Sequence, residues 1–145
     1  MYFEDFKIDQ VFDLGELSLK EEDIISFAKE YDPLKIHIDH DYAKDSIFNG
    51  IISSGFHHFT IFWKRFVKMG FADHVVAGIK ADFNWINPCY PDKKLYAYSK
   101  ILDKKESKNK TRGKIYWTMI IKDEDQKIIL DLKVTTVVKK RCLDD

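Results

Sequence analysis

The segment SSGFHHFTIFWKRFVKMG, residues 53–70, decides how this chain folds. Its bulky apolar residues Phe56, Phe59, Trp63 and Phe66 recur at spacings of three and four, which is typical of one face of a helix. Further apolar residues fall on the other sides of the same helix, and a helix that is apolar over most of its circumference is usually buried. We therefore predict that this segment is a buried central helix, with the glycine at its end as the C-terminal cap.

Downstream of this helix the apolar period shortens to two residues, which is typical of strands. The candidate strands are Val75 to Trp85, Leu95 to Leu102, Gly113 to Ile121 and Ile128 to Val138, with one more, Val11 to Leu17, upstream. The charged and turn-rich connections between the later strands suit hairpins. We predict a four-stranded antiparallel meander joined by the upstream strand. The fold class is then α+β, a single domain over residues 1–145 whose antiparallel sheet wraps a central helix.

A second helix is predicted before the central one. Ser18 and Glu21 form a Ser-x-x-Glu capping box, which marks a helix start. The helix should end near Tyr31, because Pro33 disfavours helical geometry in the residue before it. Residues 39–45 suit a further short helix.

Length and composition limit the classes of function. The 145 residues are 45% apolar, enough for one domain with a real core. Because 24 basic residues balance 24 acidic ones, the chain lacks the basic surface expected of a nucleic-acid binder. No apolar run approaches the roughly 18 residues that cross a bilayer, and the N-terminal residues do not fit a signal peptide. Cys89 and Cys142 do not have metal-ligand spacing. We expect a cytoplasmic protein without membrane or nucleic-acid partners.

Chemically reactive side chains are densest between Asp32 and Asp41. Asp32 ends a predicted helix and His37 follows five residues later, so a carboxylate and an imidazole could divide acid and base duties. On spacing alone, the commoner interpretation is an Asx turn beside a histidine that only satisfies its loop. The same cluster also suggests a metal site. No ligand set with a recognised spacing can be assembled from it, however, so we expect no metal.

The start of the central helix is a second candidate site. Gly55 would let a ligand approach amides whose charge the helix dipole reinforces, or would simply permit tight packing. Ser53 and Ser54 precede it without the G-x-S-x-G pattern of serine hydrolases. His57 and His58 are adjacent on the helix and point about 100° apart, so we expect one to be packed and the other exposed.

Three segments carry a family resemblance: YDPLKIHID at 31–39, GIISSG at 50–55 and DFNWINPCYPDKKL at 82–95. They resemble the MaoC-like dehydratases, which are hotdog-fold proteins related to the (R)-specific enoyl-CoA hydratases. The resemblance covers nearly the whole chain. The segment from Asp32 to His37, with its downstream glycine, is its most specific part.

The resemblance implies a catalytic pair, Asp32 and His37, and a helix-start glycine, Gly55, whose amide faces the thioester oxygen. Two positions depart from the usual pattern. Pro33 follows the aspartate directly, where many members have an intervening asparagine. Ser54 stands where histidine is common, and we group it with Gly55 as an oxyanion or substrate-binding residue.

The implied reaction is reversible hydration of a trans-2-enoyl thioester to a 3-hydroxyacyl thioester in fatty acid metabolism. CoA or an acyl carrier protein would enter as part of the substrate, and no separate cofactor is expected. The resemblance also implies a homodimer at least. Two alternatives remain open: a hotdog acyl-thioester hydrolase, and a non-catalytic acyl-binding hotdog subunit.

Overall fold

The structure is a computed structural model that describes residues 1–108 and 110–141. Cys142, one of the two cysteines, lies outside the described residues. The strands are β1 (Val11–Leu17), β2 (Val75–Trp85), β3 (Leu95–Glu106), β4 (Arg112–Asp123) and β5 (Ile128–Lys139). The helices are α1 (Glu21–Tyr31), α2 (Lys35–Ile38), α3 (His40–Asp45) and α4 (Gly55–Phe66), with a 3-10 turn at Phe3–Asp5 and a π-helical turn at Val67–Phe71. Every predicted strand and helix is therefore present.

The five strands form one antiparallel sheet in the order β1-β3-β4-β5-β2. The predicted meander is correct for β3, β4 and β5 but wrong for β2. Because β1 occupies the outer side of β3, β2 pairs instead with β5 at the opposite edge, where Trp85 lies across from Leu130. The sheet edges are thus β1 and β2.

The core lies between α4 and one face of the sheet. Trp117 of β4 is 1% exposed and its indole stacks on Trp63, with ring centroids 5.7 Å apart. Phe66 packs edge-on against the same indole at 5.0 Å, and Phe62 is fully buried beside it in this cluster. α4 itself ends at Phe66 and continues into the π-helical turn, so the predicted helix end at Gly70 falls within that turn, where Gly70 adopts a φ of 82° that suits a glycine. Burial of α4 on the sheet confirms the predicted α+β fold.

The predicted capping box is wrong. α1 begins at Glu21 with Lys20 as its N-cap, and no side chain caps it. Leu19 is buried, and its carbonyl accepts a hydrogen bond of 2.8 Å from the amide of Asp92, so the residues around Ser18 stay extended. Packing of Leu19 therefore moves the helix start past the sequence signal. The end of α1 at Tyr31 agrees with the prediction.

Within the part of the chain that is described, no helix combines the length and apolar character needed to cross a membrane.

Candidate active site

Asp32 and His37 are brought together by the bend between α1 and α2. The amide of Asp32 donates to the carbonyl of Ala28 and closes α1, and the carbonyl of Asp32 accepts from the amide of Leu34 at 2.8 Å. α2 then begins with Leu34 as its N-cap and places His37 in its single turn. The result is a distance of 3.5 Å between Asp32 Oδ2 and His37 Nε2.

A hydrogen bond to a main-chain carbonyl fixes the orientation of the His37 ring. Its Nδ1 lies 2.6 Å from the carbonyl oxygen of Ile52, and a carbonyl can only accept, so Nδ1 is the protonated nitrogen. The ring is 5% exposed. In the neutral imidazole Nε2 is therefore an acceptor beside the carboxylate of Asp32. The distance of 3.5 Å is at the outer limit for a direct hydrogen bond, so the two acceptors can share a third group.

Ser54 holds the carboxylate of Asp32. Its hydroxyl donates to Asp32 Oδ2 at 2.7 Å and accepts from the amide of Phe56 at 3.3 Å, which makes Ser54 the N-cap of α4. Ser54 is fully buried and does not line the cavity described below. The geometry makes it a positioning residue for Asp32, and the oxyanion role predicted for Ser54 stays a prediction.

Gly55 starts α4 directly beneath the indole of Trp85. A Cβ at this position would lie 1.9 Å from Trp85 Nε1, a distance no side chain could tolerate without movement. Close packing of Trp85 therefore requires a glycine here. The hydrogen bond from Ser54 holds Asp32 at the N-terminus of α4, beside the amides of its first turn. Amides at a helix N-terminus stabilise negative charge.

Asp32, His37 and Gly55 line one cavity of about 380 Å³. Its outer residues are largely apolar and about half exposed, namely Leu34, Phe56, Trp85 and Ile86. Its buried floor consists of Ile52, Ser53, His58 and Cys89, together with His37. A small apolar cavity with a few convergent polar groups is the usual form of a ligand site. Three of the four predicted site residues thus meet in one cavity.

His58 was missed as a site residue, and the prediction that one of the two adjacent histidines is exposed is wrong. His57 and His58 are 7% and 2% exposed. His57 stacks on the ring of Phe27, with centroids 4.4 Å apart, while His58 lines the cavity. Both sides of α4 are covered, since α1 packs on one and the cavity wall on the other. The three-residue step from Gly55 to His58 was the available signal, because it places both on one helix face.

Burial keeps the imidazole of His58 neutral. It lowers the pKa of His58 to about 3, with smaller contributions from the nearby charges of His57 and His37. The Nδ1 of His58 lies 3.4 Å from Ser53 Oγ, which itself donates to the carbonyl of Ser54 at 3.0 Å.

We expect His58 to make the folded state sensitive to acid. With a pKa of about 3 when folded and an ordinary value near 6.5 when unfolded, His58 binds a proton only in the unfolded chain between these pH values. Its contribution is therefore complete above about pH 6.5 and declines as the pH falls towards 3. Between about pH 6.5 and pH 5, the wild type should lose about 2 kcal/mol more unfolding free energy than His58→Gln. Urea titrations at the two pH values measure this, and equal losses in both proteins would refute it.

Two remaining sequence expectations concern Cys89 and metal binding. Cys89 is 2% exposed, and burial raises the pKa of its thiol to about 12, in keeping with the packing role predicted for it. Within residues 1–108 and 110–141, no three His, Cys, Asp or Glu side chains are arranged to hold a metal ion. His40, part of the alternative metal cluster, is exposed and pairs instead with Glu21 at 2.8 Å.

Comparison with known proteins defines the class. The model of the MaoC like domain family matches residues 5–120, so the chain belongs to this family. The chain is similar to the uncharacterized protein YdeM of Bacillus subtilis (strain 168), with 37% identity over 111 residues, 75% of this chain and 79% of YdeM. A MaoC-like dehydratase from Rhodospirillum rubrum has the same fold, with a TM-score of 0.89 and 25% identity over 99% of both chains. The (R)-hydratase PhaJ1 of Pseudomonas aeruginosa shares the fold at a TM-score of 0.73 and 16% identity, over 97% of this chain and 86% of PhaJ1.

Proposed function

We propose that this protein hydrates trans-2-enoyl thioesters reversibly to 3-hydroxyacyl thioesters, with Asp32 and His37 as the catalytic acid–base pair. The observation that carries the proposal is the distance of 3.5 Å between Asp32 Oδ2 and His37 Nε2 at the wall of a largely apolar cavity. Membership of the MaoC like domain family supports the same reaction. Because the acyl group brings its own CoA or carrier protein, the reaction needs no separate cofactor.

In the proposed reaction, water binds between the two acceptors. The pair takes one proton from the water as its oxygen bonds to C3, and the electrons of the C2=C3 double bond move toward the thioester carbonyl. The first-turn amides of α4 at Gly55 stabilise the resulting enolate oxygen. The pair then returns a proton to C2, so that water has been added and no group has been lost. Ser54 keeps Asp32 oriented during this exchange, and the Ile52 carbonyl does the same for His37.

Crotonyl-CoA distinguishes this reaction from its two alternatives. Hydration removes the enoyl absorbance without releasing thiol, whereas hydrolysis by a thioesterase releases free CoA. A non-catalytic acyl-binding subunit would bind the ester and leave both signals unchanged. We expect loss of enoyl absorbance with no thiol, and either of the other two results would reject the proposed function. The proposed setting is fatty acid metabolism in the cytoplasm.

We also propose a homodimer, formed through the edge strand β2. Its Val76, Ile79 and Trp85 are 43, 51 and 46% exposed, and an exposed apolar edge is usually covered in a native assembly. Light scattering at micromolar concentration should give twice the mass of the chain. Ile79→Glu should yield a monomer, whereas Val11→Glu, at a similarly exposed position on the other edge strand, should remain a dimer. A monomeric wild type would contradict the proposal.

A further inference from the structure

The indole of Trp85 carries a hydrogen-bond donor at the mouth of the cavity that Asp32 and His37 also line. Its Nε1–H can only donate, and in the part of the chain that the structure describes it has no acceptor. Although Trp85 is 46% exposed, its ring is held in place. The indole stacks on Phe83 and packs edge-on against Phe56, with ring centroids 5.2 Å apart in both pairs. The donor is therefore available to a ligand in the cavity.

The face of the indole, not its N–H bond, covers Gly55. A Cβ added to Gly55 would be nearest to Nε1 of Trp85, with Cδ1 and Cε2 of the same ring only slightly farther away. An approach along the N–H bond would leave these two carbons much farther away, because both lie on the side of the nitrogen that faces away from its hydrogen. The N–H bond therefore runs across the start of α4, and the glycine does not block it.

A second donor without an acceptor lies beside the first. Ser54 occupies the next two amides of α4, since its hydroxyl accepts from the amide of Phe56 at 3.3 Å and its carbonyl accepts from the amide of His57 at 3.0 Å. The amide of Gly55 has no acceptor among the described residues. It belongs to the positive end of the helix dipole, where a negative oxygen is stabilised.

The two donors are close enough to share one oxygen. The gap of 1.9 Å between the added Cβ and Nε1, with a C–C bond of about 1.5 Å, places Nε1 of Trp85 within about 3.4 Å of the Gly55 Cα. The Gly55 nitrogen is one further bond of about 1.5 Å away, so the two donor nitrogens are no more than about 5 Å apart. One oxygen that accepts from both at about 2.9 Å can span donors up to about 6 Å apart.

We infer that Trp85 is a further catalytic residue, whose Nε1–H donates together with the Gly55 amide to the thioester oxygen of the substrate. This inference rests on the proposed function, in which that oxygen becomes an enolate as water adds to C3. Because the oxygen gains negative charge during the reaction, both hydrogen bonds strengthen in the transition state. The neutral indole stabilises this charge without transferring its proton.

Trp85→Phe tests the donor, because phenylalanine keeps an aromatic ring against Phe83 and Phe56 but has no N–H. We expect kcat for crotonyl-CoA to fall by about 10²-fold with a much smaller change in KM, the usual effect of losing one donor to an oxyanion. Trp85→His should recover part of the loss, since an imidazole superimposes on the five-membered ring of indole and places Nε2 where Nε1 was. Tyr96→Phe, which removes the polar group of an exposed aromatic side chain outside the cavity, should keep the wild-type kcat.

A binding measurement separates this role from a merely structural one. The absorption of trans,trans-2,4-hexadienoyl-CoA moves to longer wavelength when donors polarise its thioester carbonyl, and Asp32→Asn as the parent variant prevents turnover. We expect the parent variant to give this red shift on binding, and Trp85→Phe in the same background to remove much of it.

Three results would overturn the inference: no red shift in the parent variant, an equal red shift with and without Trp85→Phe, or a wild-type kcat in Trp85→Phe. If the wild type does not hydrate crotonyl-CoA, the proposed function fails separately. The red shift of the bound ester then decides the inference by itself, because it depends on the donors and not on the addition of water.

Discussion

Asp32→Asn should lower kcat for hydration of crotonyl-CoA by roughly 10³-fold, the usual scale of a lost acid–base group. Asparagine keeps the size of the side chain and can still meet the hydroxyl of Ser54, but it cannot take up a proton. Because the contact with Ser54 survives, the fold should be retained and KM should change little. The rate at which the enoyl absorbance of crotonyl-CoA disappears, measured over a range of substrate concentrations, gives kcat and KM for the variant and the wild type.

The matched control for this variant is Asp39→Asn. Asp39 is exposed and caps α3 by accepting from the amide of Tyr42 at 3.0 Å, a role that asparagine fills equally well. The activity of Asp39→Asn should match that of the wild type.

Ser54→Ala should give an intermediate loss of about tenfold in kcat, because it removes the hydrogen bond of 2.7 Å to Asp32 but leaves the carboxylate. Full activity in Asp32→Asn would remove Asp32 from the mechanism.

Gly55→Ala should destabilise the fold by about 2 kcal/mol, since the added methyl group overlaps the indole of Trp85. The indole must leave its place over the start of α4, where it forms part of the cavity mouth, so hydration activity should fall as well. Denaturant titrations of the variant and the wild type measure the change in unfolding free energy.

Two further variants test whether overlap with the Trp85 indole, rather than a general effect of replacing glycine by alanine, causes the loss of stability. Gly78→Ala lies on β2, where an added Cβ has no neighbour within 4 Å in the chain itself. In the Ile79→Glu background, which removes the proposed dimer contact, it should leave the stability close to that of the parent variant. In the Trp85→Ala background the cost of Gly55→Ala should disappear, which a double-mutant cycle expresses as a coupling energy. Undiminished stability in Gly55→Ala alone would contradict the packing account.

The sequence was informative where one local pattern determined the structure. The apolar period of α4 and the strand periods are local, so these elements could be predicted closely. The position of β2 could not, because the strand that pairs with β5 depends on which side of β3 the strand β1 occupies. The start of α1 was also missed, since burial of Leu19 is a tertiary effect that overrides a capping motif.

In the candidate site, too, local features could be predicted from the sequence and tertiary contacts could not. The five-residue step from Asp32 to His37 was visible in the sequence, and the structure brings the two side chains to 3.5 Å. Their catalytic role remains a prediction that the variants above test. The partners of these residues were not visible, because the Ile52 carbonyl and the Ser54 hydroxyl reach them from 15 and 22 positions away in the chain. Likewise the burial of His58 depends on residues that only the folded chain assembles.

The hydrogen bond from His37 to the carbonyl of Ile52 separates two functions within one residue. The oxygen that orients the imidazole belongs to the main chain, whereas the side chain of Ile52 forms part of the cavity floor. Exchanging that side chain for another apolar one alters the shape of the cavity but leaves the oxygen where it is. Substitution at this position can thus change the size of the cavity without reorienting the imidazole.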